Sequence, residues 1–169
     1  MICPDELARL YDAHAGALFA FAMTLTRSEA DSRDLLQDLF RRLATTSLPP
    51  DLRDERRWLL RSVHNLAVDG IRRREVQGRA QTKLAEESLE LFATVSDPDE
   101  AVFRRALADA LGTLPAEQRG VVHLKLWEGL TFERIAELLE IPLNTAASRY
   151  RYGLDKLRDQ LRPLYDEIH

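Results

Sequence analysis

The chain has 169 residues, 45% of them hydrophobic and 31% charged, with 24 basic residues against 28 acidic ones and a net charge of -4. That length suits one compact domain or two small ones, and a lone cysteine, Cys3, excludes an internal disulfide. No uncharged apolar run reaches the roughly 18–20 residues that span a bilayer, and "MICPDELARLYDAH" lacks the order of a signal peptide, so a soluble cytoplasmic protein without membrane insertion is expected.

Charge is unevenly spread. Residues 1–40 carry 3 basic against 7 acidic side chains, 41–83 carry 11 against 5, 84–117 carry 2 against 8, and 118–169 carry 8 against 8. A polyanionic partner responds to the local excess at 41–83 more than to the net charge.

Nearly every segment has helical periodicity. Leu7, Leu10, Tyr11, His14, Leu18, Phe21 and Leu25 follow the three-and-four spacing of an amphipathic helix. Ser28-Glu29-Ala30-Asp31 has the form of a capping box for a second helix, burying Leu35, Leu36, Leu39, Phe40 and Leu43. "TSLPPDLRD" ends it, because proline cannot continue a helix. A third helix is expected from about Asp54 to Glu75, with Trp58, Leu59, Val63, Leu66, Ala67 and Ile71 on its apolar side. Residues 76–96 lose the pattern, are polar and acid-rich, and read as a linker with at most a short helical turn over Leu84–Phe92. Asp97-Pro98 caps the next helix, with Val102, Ala106, Leu107, Ala110 and Leu111 as its stripe. Pro115 opens another through Val121, Val122, Leu124 and Leu126, ended by Gly129. No strand signal appears. The expected fold is all-α: two small helical bundles, 1–75 and 97–169, joined by a flexible acidic linker at 76–96.

Thr131 caps a short helix, "FERIAELLE"; "IPLN" makes a turn, and "NTAASRYRYGLDKLR" follows as a longer helix. Capped helix, short turn and longer helix form a helix-turn-helix pattern. On the last helix Ala146, Tyr150, Gly153 and Leu157 share one side, facing Ile135, Ala136 and Leu139. Asn144, Ser148, Arg151, Tyr152 and Asp155 point the other way, with Thr145 and Arg149 on the flanks. Arginine and asparagine can read base edges, and serine and tyrosine can hold phosphates. Arg149 can equally pair with Glu133 or Glu137 of the preceding helix.

Nothing points to catalysis. His14, His64, His123 and His169 are scattered without cysteine or carboxylate partners at metal-ligand spacing, and no phosphate-binding glycine loop exists. No catalytic residue, cofactor or metal site is expected.

"LPAEQRGVVHLKLWEGLTFERIAELLEIPLNTAASRYRYGLDKLR" resembles the −35-binding region 4 of bacterial RNA polymerase sigma factors of the extracytoplasmic-function type, group 4 of the sigma-70 family. "LYDAHAGALFAFAMTLTRSEADSRDLLQDLF" and "RRWLLRSVHNLAVDGIRRR" are similar to the start and end of region 2 of the same family. The resemblance covers nearly the whole chain and implies a factor that binds core polymerase, directs it to −35 and −10 promoter elements and promotes melting. It implies that Leu35, Leu36, Gln37, Asp38 and Phe40 grip the β′ clamp helices of the polymerase. It places Asn65 beside a flipped-base pocket, with Asp69 a turn later, Arg61, Arg72 and Arg73 on phosphates, and Trp58 either stacked on a base or in the core. The −35 element falls to Asn144, Thr145, Ser148, Arg149, Arg151 and Tyr152. Arg53 and the prolines of "SLPPDLRD" match the base-specificity loop, and Glu86, Glu87 and Glu90 match a linker that threads polymerase channels. The family commonly has Lys or Arg where Ala147 stands and Arg where Tyr152 stands. Further implied partners are the polymerase β flap and an anti-sigma factor, the free chain being a monomer or bound 1:1. Two other readings fit parts of the pattern: a stand-alone helix-turn-helix regulator, and a sigma mimic that sequesters an anti-sigma factor.

Overall fold

The computed structural model describes residues 1–78 and 98–168, which divide between two compact units, Met1–Thr82 and Lys83–His169. Among the described residues there are seven helices and no strand. The expected linker turn at Leu84–Phe92, its glutamates and the Asp97 cap lie outside them; Val76, placed in the linker from sequence, closes a helix.

The first unit holds α1 (Pro4–Thr26), α2 (Glu29–Thr45) and α3 (Glu55–Val76), with α1 packed against both others. Leu10, Leu18, Phe21 and Leu25 of α1 meet Leu36, Leu39 and Leu43 of α2 and Leu59, Leu60, Val63 and Ala67 of α3 in the core. The corner between α1 and α2 is tight. Arg27 adopts the left-handed conformation (φ 56°) and donates to the Met23 carbonyl at 2.8 Å. Ser28 then caps α2, its Oγ accepting from the Asp31 N–H at 3.3 Å. The second half of the expected capping box is absent: the Ser28 N–H donates to Thr26 Oγ1, and the Asp31 carboxylate reaches Arg74 of α3 instead. Thr26 Oγ1 also bonds Ser32 Oγ at 2.7 Å, which satisfies that fully buried hydroxyl. Asp54 caps α3, and Arg9 of α1 ties its first turn by a 2.6 Å contact with Glu55.

The second unit holds α4 (Pro98–Thr113), α5 (Ala116–Leu126), α6 (Phe132–Leu139) and α7 (Leu143–Ile168), with α7 against the other three. Ala110, Leu111, Leu114, Val122 and Leu157 form one cluster, with Tyr150 and Leu154 packed on it. α7 crosses α5 so closely at Gly153 that a Cβ there would sit 2.9 Å from Val122 Cγ2.

Several core expectations need correction. Tyr11, Val102 and Leu126 were assigned to apolar stripes but are exposed, because α1 and α4 each meet the core along a narrower line and α5 stops at Leu126. Gly129 (φ 64°) lies in the turn three residues after that end. In α6 the buried leucine is Leu138, with Leu139 half-buried, and in α3 Leu60 is core while Leu66 and Ile71 are half-buried.

His123 on α5 is buried, and burial pushes its imidazole down to about 4 from an ordinary 6.5. The folded state thus holds it neutral while the unfolded chain takes up a proton below pH 6.5. Stability from this site is present above pH 6.5 and is lost as pH falls toward 4, by about 3 kcal/mol at most. Urea unfolding at pH 7 and pH 4.5 should show a smaller acid loss in His123→Leu than in the native chain. Gly153→Ala should destabilise by about 1–2 kcal/mol despite the better helix propensity of alanine, because Val122 is stiff and enclosed. In a Val122→Ala background the same change should be neutral or stabilising, read by the same unfolding assay.

Candidate nucleic-acid interface

α3 is two-faced. Leu59, Leu60, Val63 and Ala67 are buried on one side. At ~100° per residue, Trp58, Arg61, Asn65, Asp69, Arg72 and Arg73 all fall within about 120° of arc on the other. Asn65, Asp69, Arg72 and Arg73 are exposed, and Trp58 and Arg61 are half-buried. The six positions named from sequence thus form one continuous strip: an aromatic surface at one end, a short amide and a carboxylate in the middle, cations at the other end. Trp58 is neither fully core nor fully exposed.

The helix-turn-helix is formed by α6, a turn at Glu140–Pro142, and α7. Thr131 Oγ1 accepts from the Arg134 N–H at 3.3 Å and starts α6. Glu140 ends it in the left-handed region (φ 55°), a position more often filled by glycine. The Glu140 and Ile141 N–H groups both donate to the Ala136 carbonyl. Ile135 and Ala146 are inaccessible to solvent, and Phe132 meets the Tyr150 ring edge-on at 5.3 Å. These contacts fix how α7 stands on α6.

Along the outer side of α7, Asn144, Arg151, Tyr152 and Asp155 are exposed. Thr145, Ser148 and Arg149 are half-buried, so Ser148 stands nearer the flank than the helical wheel placed it. Arg151 lies over the Tyr152 ring, 5.4 Å from its centre, which gives the pair a joint cationic and aromatic surface. Arg149 reaches Glu117 of α5 at 3.5 Å; the alternative weighed from sequence was a pair with Glu133 or Glu137. α5 crosses beneath this flank, a proximity that no local spacing reveals. Both partners are partly exposed, so the pair is weak.

The five α2 residues do not share a face. Leu36 is core, packed where helical phase puts it with Leu39 and Leu43. Leu35 and Asp38 line a cleft toward α3. Asp38 is held by Arg41 at 2.6 Å and Arg42 at 2.9 Å, and the Arg41 hydrogen bond keeps its carboxyl below the usual range. Gln37 and Phe40 face an open groove of about 900 Å³ between α1 and α2, floored by Leu7, Tyr11, Phe19 and Leu36. Tyr11 meets Phe40 edge-on at 5.1 Å. Sequence reading missed Tyr11 here by counting it as core. A second apolar groove of about 620 Å³, in the other unit, is lined by Phe103, Leu107, Leu126, Leu161 and Tyr165. No group of three or more histidine, cysteine or acidic residues that could hold a metal occurs among the described residues, nor does a helix long and apolar enough to cross a membrane.

Residues 10–76 match the Sigma-70 region 2 family model and residues 110–159 the Sigma-70, region 4 model. The chain is 33% identical over 163 residues to the ECF RNA polymerase sigma factor SigL of Mycobacterium tuberculosis, covering 92% of this chain and 88% of that one. It is 28% identical over 170 residues to the ECF RNA polymerase sigma factor SigW of Bacillus subtilis, covering 95% and 91%. Its fold is similar to that of the sigma factor RpoE of Bartonella quintana, solved with the anti-sigma factor NepR, at a TM-score of 0.64 and 23% identity over 94% of this chain and 95% of that one. The two matched regions, in this order on an all-helical chain, place the protein among the extracytoplasmic-function sigma factors of the sigma-70 family.

Proposed function

We propose that this sigma factor, acting in the cytoplasm with core RNA polymerase, divides a promoter between its two units: the outward strip of α3 engages the −10 element and α7 engages the −35 element. The observation that carries the reading is the strip itself. Melting a promoter requires a base to leave the stack and be held, at a cost of a few kcal/mol. Asn65 and Asp69 are short hydrogen-bonding groups on an exposed helix face, suited to a base edge. Arg61, Arg72 and Arg73 flank them where phosphates would run, and Trp58 offers a ring to stack on. At the other unit, Asn144, Arg151 and Tyr152 stand on the free side of a helix braced from behind, as major-groove readout requires. Thr145, Ser148 and Arg149 border that side at the level of the backbone. Tyr152, where the family commonly has arginine, leaves Arg151 as the principal cation here.

Gln37 and Phe40 with the Tyr11 groove, together with Leu35 and Asp38, suit docking of the polymerase β′ clamp helices; Leu36 supports that surface from the core. The apolar groove of the second unit suits a helical segment of the β flap, and an anti-sigma factor would compete for these same surfaces. The net charge of -4 then limits wandering of the free monomer onto DNA.

Asn65→Ala should lower open-complex formation about tenfold, the scale of one lost base contact, with core polymerase binding unchanged. Equal loss of both activities would move Asn65 from base contact to folding. Arg151→Ala should cost about 1–3 kcal/mol of promoter affinity, seen as a weakened −35 footprint; an unaltered footprint would remove Arg151 from the reading set.

A further inference from the structure

We propose that Arg74 is a positioning residue and not a DNA ligand: its ion pair with Asp31 holds the last two turns of α3 against α2 and so keeps Arg72 and Arg73 in helical register with Asn65 and Asp69. The proposal rests on the assignment of Arg72 and Arg73 to phosphates made above.

The sequence runs "IRRRE", three arginines that look equivalent. Helical phase separates them. At ~100° per residue, Arg74 falls between Val63 and Ala67, on the side that faces α2, roughly opposite the centre of the outward strip. There its Nη2 meets Asp31 Oδ1 at 2.5 Å. Asp31 is itself fixed, since its backbone N–H is held by the Ser28 cap. Each charge also suits its helix end: a carboxylate in the first turn of α2 and a guanidinium in the last turn of α3.

That stretch of α3 has little else to hold it. Its last buried side chain is Ala67. Beyond it Val68, Gly70 and Ile71 are half-buried, while Asp69 and everything from Arg72 to Val76 are exposed. α2 and α3 are parted here by a cleft of about 310 Å³ lined by Leu35, Asp38, Ile71 and Arg74 among others, where packing is open. Helix ends without tertiary support fray. An arginine reaching across to a fixed carboxylate opposes that fraying. Arg74 and Asp31 keep 51% and 28% side-chain exposure, so the brace is modest and weakened by salt.

The test uses Asp31→Asn, Arg74→Ala and the double variant in the full chain. Hydrogen–deuterium exchange on the free protein should quicken about three- to fivefold over residues 70–76 in each single variant, with α1 unaffected, and no further in the double variant. Holoenzyme reconstituted with core polymerase should bind a −10 fork-junction DNA about two- to threefold more weakly in all three. A DNA ligand behaves oppositely: Asp31→Asn would free Arg74 and tighten binding while Arg74→Ala weakened it, and that sign difference overturns the proposal. Unchanged exchange in both single variants overturns it as well, whatever the DNA result. Faster exchange with unaltered DNA binding upholds the brace and rejects instead the phosphate role of Arg72 and Arg73.

Discussion

Burial of four side chains on one side of α3 is the constraint from which the first unit's chemistry follows. Once Leu59, Leu60, Val63 and Ala67 are committed to the core, helical geometry decides which residues face outward. Trp58, Arg61, Asn65, Asp69, Arg72 and Arg73 gain a common face from helical phase alone. Apolar packing fixes the helix only through its middle. Its two ends are tied by charge, Arg9 to Glu55 at the start and Arg74 to Asp31 at the finish. The core fixes the middle of the helix, and an ion pair ties each end.

The second unit solves a related problem by close approach. α7 must leave one side free over its first three turns and still be rigid. It presses its other side into α4, α5 and α6, with no room at Gly153 for even one extra carbon. Ala146 and Gly153 are small where helices cross, and Tyr150 and Leu157 fill the space between. The placement of α7 is thus set by residues on its hidden side.

How much of this was legible in the sequence differs by feature. Periodicity gave the all-helical class, the helix order and most boundaries, because each is a local property. Ser28 and Thr131 cap their helices with their side chains as their spacing implied, whereas Asp54, read from sequence as the first residue of the third helix, is its cap. The Ala146, Tyr150, Gly153 and Leu157 stripe also holds. What was not legible depended on which helix lies against which. Tyr11 and Leu126 follow an apolar period yet face grooves, since periodicity marks a side and not how much of it a neighbour covers. Arg149 finds Glu117 instead of a carboxylate on the preceding helix. Arg74 sits in a run of three arginines with a different task from the other two, and only its partner in α2 reveals it. Leu35, Leu36 and Phe40 were read both as core and as a contact surface; Leu36 is buried, while the other two are half-buried, a distinction that periodicity alone does not make.

The corner at Arg27 and Ser28 bears on how such a chain can change over generations. Between α1 and α2 there is no slack: only Arg27 and Ser28 part the two helices, and each closes a helix end, so an inserted residue would disrupt the bonds that set the corner. Residues 46–54, by contrast, form an irregular connection with a main-chain bond from the Leu52 N–H to the Pro49 carbonyl. Lineages can lengthen, shorten or rewrite that second connection while the bundle stays intact. Divergence in length should therefore collect at that second connection and leave the corner fixed, so that an exposed loop can be remade without refounding the fold.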